Sequence, residues 1–265
     1  MNSSGFVPRV LAIPAVLGLA LLVLPLAALV SRVEWSSLAS DITSPEALAA
    51  LGLSVTTGLI ATLLCVMFGV PLALLIARSG PRTAAVLRAL VTIPLVLPPM
   101  VGGVALLFLF GRSGVLGGAL SMWGIQVPFT SAAVVIAQTF VALPFLVLAL
   151  EGSLRATGVG YEQVAAALGA GRWTTLRKVT LPLAAPGLVA GVVLCFARAI
   201  GEFGATALFA GNAPGVTQTM PLAIYTAFNG AGISQGTAVA LSLMLLVTAV
   251  AVLLLVRAWR PEAQR

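Results

Sequence analysis

Apolar runs long enough for a helical membrane crossing, which takes about 20 residues, recur along this chain. They centre on Val10 to Val30, Leu51 to Ala77, Ala89 to Gly111, Thr130 to Leu150, Leu181 to Ala210 and Gly236 to Val256. The pattern predicts an all-α, polytopic membrane protein with six spanning helices. The first run exceeds the apolar region of roughly 7 to 15 residues that a cleavable signal carries. It therefore reads as an uncleaved span, with Pro14 and Pro25 expected to kink or end it. Two connections, Gly111 to Phe129 and Gly211 to Gln235, hold Gly117, Gly118, Trp123 and Pro128 in the first case and read as ordered segments, not linkers.

Charge placement orients the spans. With the N-terminus inside, the inner segments collect Arg9, then Arg78, Arg82 and Arg88, then Arg155, Arg172, Arg177 and Lys178, then Arg257, Arg260 and Arg265. Only Arg32 and Arg112 fall outside, and Arg198 lies within a span. The positive-inside rule then predicts that both termini are cytoplasmic. Trp35 and Trp123 suit the outer interfacial belt and Trp259 the inner one.

Composition narrows the function classes. Charged residues make up 8% of the chain, against about a quarter in soluble domains. The net charge of +7 would suit nucleic acid only as an exposed patch; here the basic residues follow topology, so no nucleic acid is expected. Histidine is absent, which removes His-dependent hydrolysis and His-bound zinc. Asp41 is the single aspartate, so a paired-aspartate intramembrane protease is excluded. Cys65 and Cys195 sit inside apolar runs and read as small buried thiols. The single lysine, Lys178, stands outside any G-x-x-x-x-G-K-[ST] sequence, so the chain has no phosphate-cradling loop. No metal site or bound cofactor is expected.

The stretch from Glu151 to Lys178 concentrates charge between two spans. Tyr161, Val164, Ala165 and Leu168 recur at helical spacing, giving a short amphipathic helix whose apolar face lacks a core of its own. Gly169, Ala170 and Gly171 then stop it, with glycine supplying the left-handed turn. A second short helix through Trp173 and Leu176 is expected to leave at an angle before Pro182. The product is a protruding elbow, which amphipathicity alone allows to be either a membrane-surface helix or a protein-docking element.

Spacing separates those readings. Glu162, Gly169, nine intervening residues, then Val179, Leu181 and Pro182 resemble the EAA loop of binding-protein-dependent ABC importer permeases, E-A-A, a glycine, nine residues and I-x-L-P. Gln163 and Val164 replace the two alanines and Val179 the isoleucine. The resemblance implies that Tyr161, Glu162, Ala165, Leu168, Gly169, Ala170, Gly171, Val179, Leu181 and Pro182 couple the chain to an ATPase subunit.

The fifth run carries LCFARAIGEFGATALFAGNAPGVTQTMPLAIYTAF, Leu194 to Phe228. Arg198 and Glu202 are four apart and expected on one helix face. Ionisable groups inside a membrane face a bundle interior or a wet cavity, so the pair reads as a structural ion pair or as a substrate contact. Thr206 joins them as a pathway candidate, with Ser54, Thr56, Thr57, Thr62, Gly102 and Gly103 as further weak donors or close approaches. For each hydroxyl the competing reading is a bond back to its own helix. Gly201 to Thr206 and Asn212 to Thr219 resemble the molybdate branch of these permeases, near the CysTW-like subfamily.

The resemblance implies a type I ABC importer permease, or MetI-like, fold. It divides the chain into an N-terminal span and outer loop (1–50), a permease domain (51–257) containing the coupling loop (151–180), and a cytoplasmic tail (258–265). Implied partners are an ABC ATPase subunit that binds the ATP, a periplasmic or lipoprotein-tethered molybdate-binding protein, and a second copy of the chain, all working across the lipid bilayer of a bacterial cytoplasmic membrane. Tungstate or sulfate and thiosulfate are alternative cargoes. An intramembrane enzyme and a passive channel or scaffold are the readings from other classes.

Overall fold

The computed structural model describes residues 9–258, and among these every regular element is helical. In chain order they are a 3-10 turn (Arg9–Leu11), α1 (Ala12–Ser31), α2 (Leu38–Ile42), α3 (Pro45–Arg78), α4 (Pro81–Val96), α5 (Pro99–Phe110), α6 (Gly117–Met122) and α7 (Ser131–Thr157). There follow α8 (Gly160–Ala167), α9 (Arg172–Thr175), a π-helical turn (Leu176–Thr180), α10 (Leu181–Ile200), α11 (Gly204–Phe209), α12 (Met220–Phe228) and α13 (Gln235–Ala258). Trp259, Arg260 and Arg265, and with them the expected tail beyond residue 258, lie outside the described residues.

Helix starts follow from local chemistry. Pro45 opens α3 behind Ser44, whose hydroxyl accepts the Ala47 amide at 3.3 Å. Thr130 caps α7 in the same way through Ala133. Both supply an acceptor to a first-turn amide that the helix itself leaves unpaired.

The long α7 forms the centre, and α3 and α10 pack along it. Lipid supplies no hydrophobic drive between helices, so close approach decides which faces meet. A Cβ on Gly69 of α3 would sit 2.7 Å from the Leu146 side chain, and one on Gly191 of α10 would sit 3.2 Å from the Leu146 backbone. Leu146 of α7 is thus gripped from both sides by glycines. By contrast α1 has no buried residue and rides on the outside of the bundle, passing through Pro25 without ending.

The expected six spans are only partly matched. Among the described residues four helices are long and apolar enough to cross alone: α1, α3, α7 and the helix running from Arg172 through the π turn to Ile200. The expected third run, Ala89–Gly111, is not one helix. It breaks between α4 and α5 with a bend of 110°, because Pro98 and Pro99 adjoin and a residue before proline is driven out of the helical region. Leu97 accordingly has ψ 136. The expected fifth run, Leu181–Ala210, also breaks, at Gly201. The expected sixth run lies within α13, whose described apolar stretch, Gln235–Ala251, is shorter than a full crossing.

Candidate functional site

The elbow is built from α8, the Gly169 turn and α9. Three alanines, Ala165 to Ala167, favour helix, and Glu162 occupies the first turn of α8, where the helix dipole favours a carboxylate. Gly169 ends it with φ +84. The Ala170 amide donates to the Ala165 carbonyl and the Gly169 amide to the Ala166 carbonyl, each at 3.0 Å. That paired closure is a Schellman cap, which requires a left-handed residue at the glycine position.

The apolar face of α8 turns away from the protein. Tyr161 is 62% exposed and Leu168 83% exposed, Val164 and Trp173 are exposed with them, and Ala165 is half-buried. Gly171 precedes α9 in an extended conformation. The second short helix does not depart before Pro182, as expected, but runs through the π turn, where Val179 is half-buried, directly into α10. Leu181 and Pro182 form its first turn. Proline, which has no amide to bond back into the preceding turn, is accommodated where the π turn widens the helix just ahead of it.

Glu162 points inward, and its partners are residues that pattern reading did not single out. Arg78, the last residue of α3, donates from Nε at 3.1 Å and Nη2 at 2.6 Å to its carboxylate. Thr180, the last residue of the π turn, donates to it at 2.8 Å. Burial alone would raise the Glu162 pKa, but the hydrogen bonds from Arg78 and Thr180 and the Arg78 charge outweigh it and hold the carboxyl below its ordinary range. Beside the clamp lies a cleft of about 360 Å³, lined by Leu74, Ala166, Ala170 and Arg172 among others.

A second ion cluster stands close by in the fold. Buried Glu151 of α7 pairs with Arg88 of α4 and, at 2.6 Å, with Arg155. Arg155 also donates to the Ile76 carbonyl of α3 at 3.2 Å. The middle of α4 and the C-terminal ends of α3 and α7 are thereby tied together. The sequence signal was present: between the fourth and fifth spans, Glu151 and Glu162 are the only carboxylates, set among three arginines and a lysine.

Arg198 and Glu202 do meet, at 2.5 Å, with Glu202 only 1% exposed. They do not share a helix, however, because α10 ends at Ile200. Glu202 lies beyond Gly201, where its other oxygen accepts the Ala205 amide at 2.8 Å and so caps α11. Thr206 is fully buried and its hydroxyl has no partner among the described residues. Thr56, Thr57 and Thr62 bond back to their own helix at 2.7 Å each, which is the duller of the two readings weighed for them. Ser54 instead accepts the Met220 amide at 2.7 Å, linking α3 to α12. Gly102 and Gly103 serve packing: a Cβ on Gly103 would lie 2.8 Å from the Ala205 carbonyl of α11. Cys65 and Cys195 are free, buried and in one packed cluster. Gln138 of α7, buried with neither amide atom partnered among the described residues, was missed, although a lone amide in the middle of an apolar run was the available clue.

Residues 69–264 match the family described as binding-protein-dependent transport system inner membrane component. The chain is 51% identical over 254 residues to the molybdenum transport system permease protein ModB of Mycobacterium tuberculosis (strain ATCC 25618 / H37Rv), covering 96% of this chain and 95% of that one. Two solved structures share the fold. A chain of a bacterial alginate ABC transporter aligns with TM-score 0.71 at 17% identity, covering 96% of this chain and 93% of that one. A chain of the MetNI methionine ABC transporter aligns with TM-score 0.60 at 19% identity, covering 79% and 94%. The broken spans, the exposed elbow and these matches lead to one conclusion: the chain belongs to the family of inner membrane components of binding-protein-dependent transport systems, as a multi-pass membrane protein.

Proposed function

We propose that this chain is the permease subunit of an ATP-driven importer that moves molybdate across the cytoplasmic membrane by alternating access. The observation that carries the reading is the 51% identity to a molybdenum transport permease across 96% of the chain. The elbow supports it: Tyr161, Val164, Leu168 and Trp173 present an apolar knob with no cover among the described residues. Such a knob in the cytosol fits a groove on an ABC ATPase subunit, which would bind and hydrolyse the ATP that this chain has no loop to hold. Both termini would then be cytoplasmic, in keeping with the distribution of arginines.

A paired ATPase requires two elbows, so two copies of the chain would enclose the path in a closed two-fold assembly. A periplasmic or lipoprotein-tethered binding protein would deliver the anion. Stripping water from a tetrahedral dianion costs far more than one contact returns, so the path would offer distributed weak donors instead of a deep site. Within that scheme Gly169 and Glu162 shape the lever, Arg198 and Glu202 hold the bend between α10 and α11, and the unpartnered Thr206 hydroxyl is a candidate for the path.

The test is uptake of labelled molybdate into vesicles containing the chain with its ATPase and binding protein, competed by tungstate and by sulfate. ATP-dependent uptake blocked first by molybdate or tungstate is expected. Uptake without the ATPase would instead indicate a passive channel, and preferential competition by sulfate would reassign the cargo.

A further inference from the structure

We infer that Arg78 and Thr180 are positioning residues that make the elbow a lever on two transmembrane helices at once. The inference deepens the coupling role proposed for the elbow and rests on it. By covalent connection α8 is attached only to α7, through Gly158 and Val159, and to α9, through the Gly169 turn. A glycine with φ +70 at position 158 and another with φ +84 at 169 leave both joints as single turns, poor conductors of a push. Glu162 supplies the missing connection. Its carboxylate takes two hydrogen bonds from the Arg78 guanidinium at the end of α3 and one from the Thr180 hydroxyl at the base of α10.

The chemistry suits a mechanical joint. An arginine that donates from both Nε and Nη2 to one carboxylate fixes orientation as well as distance, which a lysine ammonium does not do. The clamp is half-buried, so it is shielded from screening better than a surface pair. It sits where α3 is already anchored to α7, two residues away at Ile76, by Arg155. Thr180, which is buried, closes the π turn, a local widening of the helix that recurs at functional places. Movement of α8 is therefore delivered to α3 and α10 together, the two helices that grip Leu146 of the central α7.

The experiment uses the complete importer in vesicles and compares wild type with Arg78→Gln, Arg78→Lys, Thr180→Val and the charge exchange Arg78→Glu with Glu162→Arg. Three quantities are read: ATPase subunit retained on purification, ATP hydrolysed, and anion imported per ATP. Arg78→Gln is expected to keep the ATPase bound and hydrolysing while import per ATP falls about tenfold, the scale of a lost charge-assisted bond. Arg78→Lys and the charge exchange should recover part of the loss, and Thr180→Val, which keeps shape and removes only the donor, should give a smaller loss in the same direction. Unchanged import per ATP in both Arg78→Gln and Thr180→Val overturns the inference, as does loss of the ATPase from Arg78→Gln, which would make the clamp a docking surface. Leu168→Asp separately tests the underlying reading: if it retains the ATPase and full import, the elbow is not the coupling element, whatever the Arg78 variants do.

Discussion

Glu202 lies 2.5 Å from Arg198 across a break in the helix, and the same carboxylate caps the next helix through the Ala205 amide. One buried side chain thus satisfies a half-buried cation and an unpaired amide at the point where α10 ends and α11 begins. Removing either partner strands a charge or a donor away from water. Glu202→Gln or Arg198→Ala should each cost about 3 to 5 kcal/mol, whereas removing both should cost less than the two losses combined. Thermal unfolding of the three variants in detergent measures this; strict additivity would mean the two residues do not act as a pair.

A substitution at Gly169 isolates backbone conformation from sterics. Its Cβ would meet nothing within 4 Å, so crowding is not an issue, but φ +84 is nearly closed to a β-branched residue. Gly169→Val is expected to insert and assemble normally while losing uptake. Gly169→Asn, which tolerates the left-handed region better, should retain more. Equal uptake in both variants and wild type would remove the turn from the coupling scheme.

The contact of α5 with α11 depends on the absence of a side chain at position 103. Gly103→Ala would place a methyl 2.8 Å from the Ala205 carbonyl, and backbone cannot yield as a flexible side chain does. The expected cost is about 1 to 3 kcal/mol, seen as a lower unfolding temperature. Gly118→Ala, which meets nothing within 4 Å, is the neutral control.

Acidification gives a test with a definite sign. The Glu162 carboxyl is held below its ordinary range by Arg78 and Thr180, so the clamp's contribution is fully present above the unfolded-state pKa, about 4.3. It disappears only as pH falls through the lower, folded value. Coupling of import to ATP hydrolysis should therefore be flat from neutral pH to about pH 5 as far as this group is concerned. In Arg78→Gln the carboxyl loses its main support and burial pushes its pKa upward, so acid sensitivity should begin at higher pH than in wild type.

The elbow was readable in the chain because its parts are local. Tyr161, Val164 and Leu168 are spaced within one helix, and Gly169 stops it by a conformational property of glycine alone. The Glu162 clamp was not readable, since Arg78 stands 84 residues away and nothing in its neighbourhood distinguishes it from Arg82 or Arg88. The breaks in the third and fifth apolar runs had local causes in Pro98, Pro99 and Gly201, yet hydropathy averages over them, so each run reads as one span.

What the sequence determined by itself is what depends on solvent and on neighbours a few residues away: the lipid environment, from apolar runs with so little charge; the lack of a phosphate-binding loop; and the turn that makes the elbow. Tertiary structure alone decided which charges neutralise one another, Arg78 with Glu162 and Arg88 with Glu151, and why glycines 69, 103 and 191 sit where they do. Those facts arise when helices distant along the chain are brought within touching distance. Within the apolar bundle no hydrophobic effect drives helices together, so close packing at the glycines fixes how they assemble, while the half-exposed charge pairs tie the helix ends at its edge.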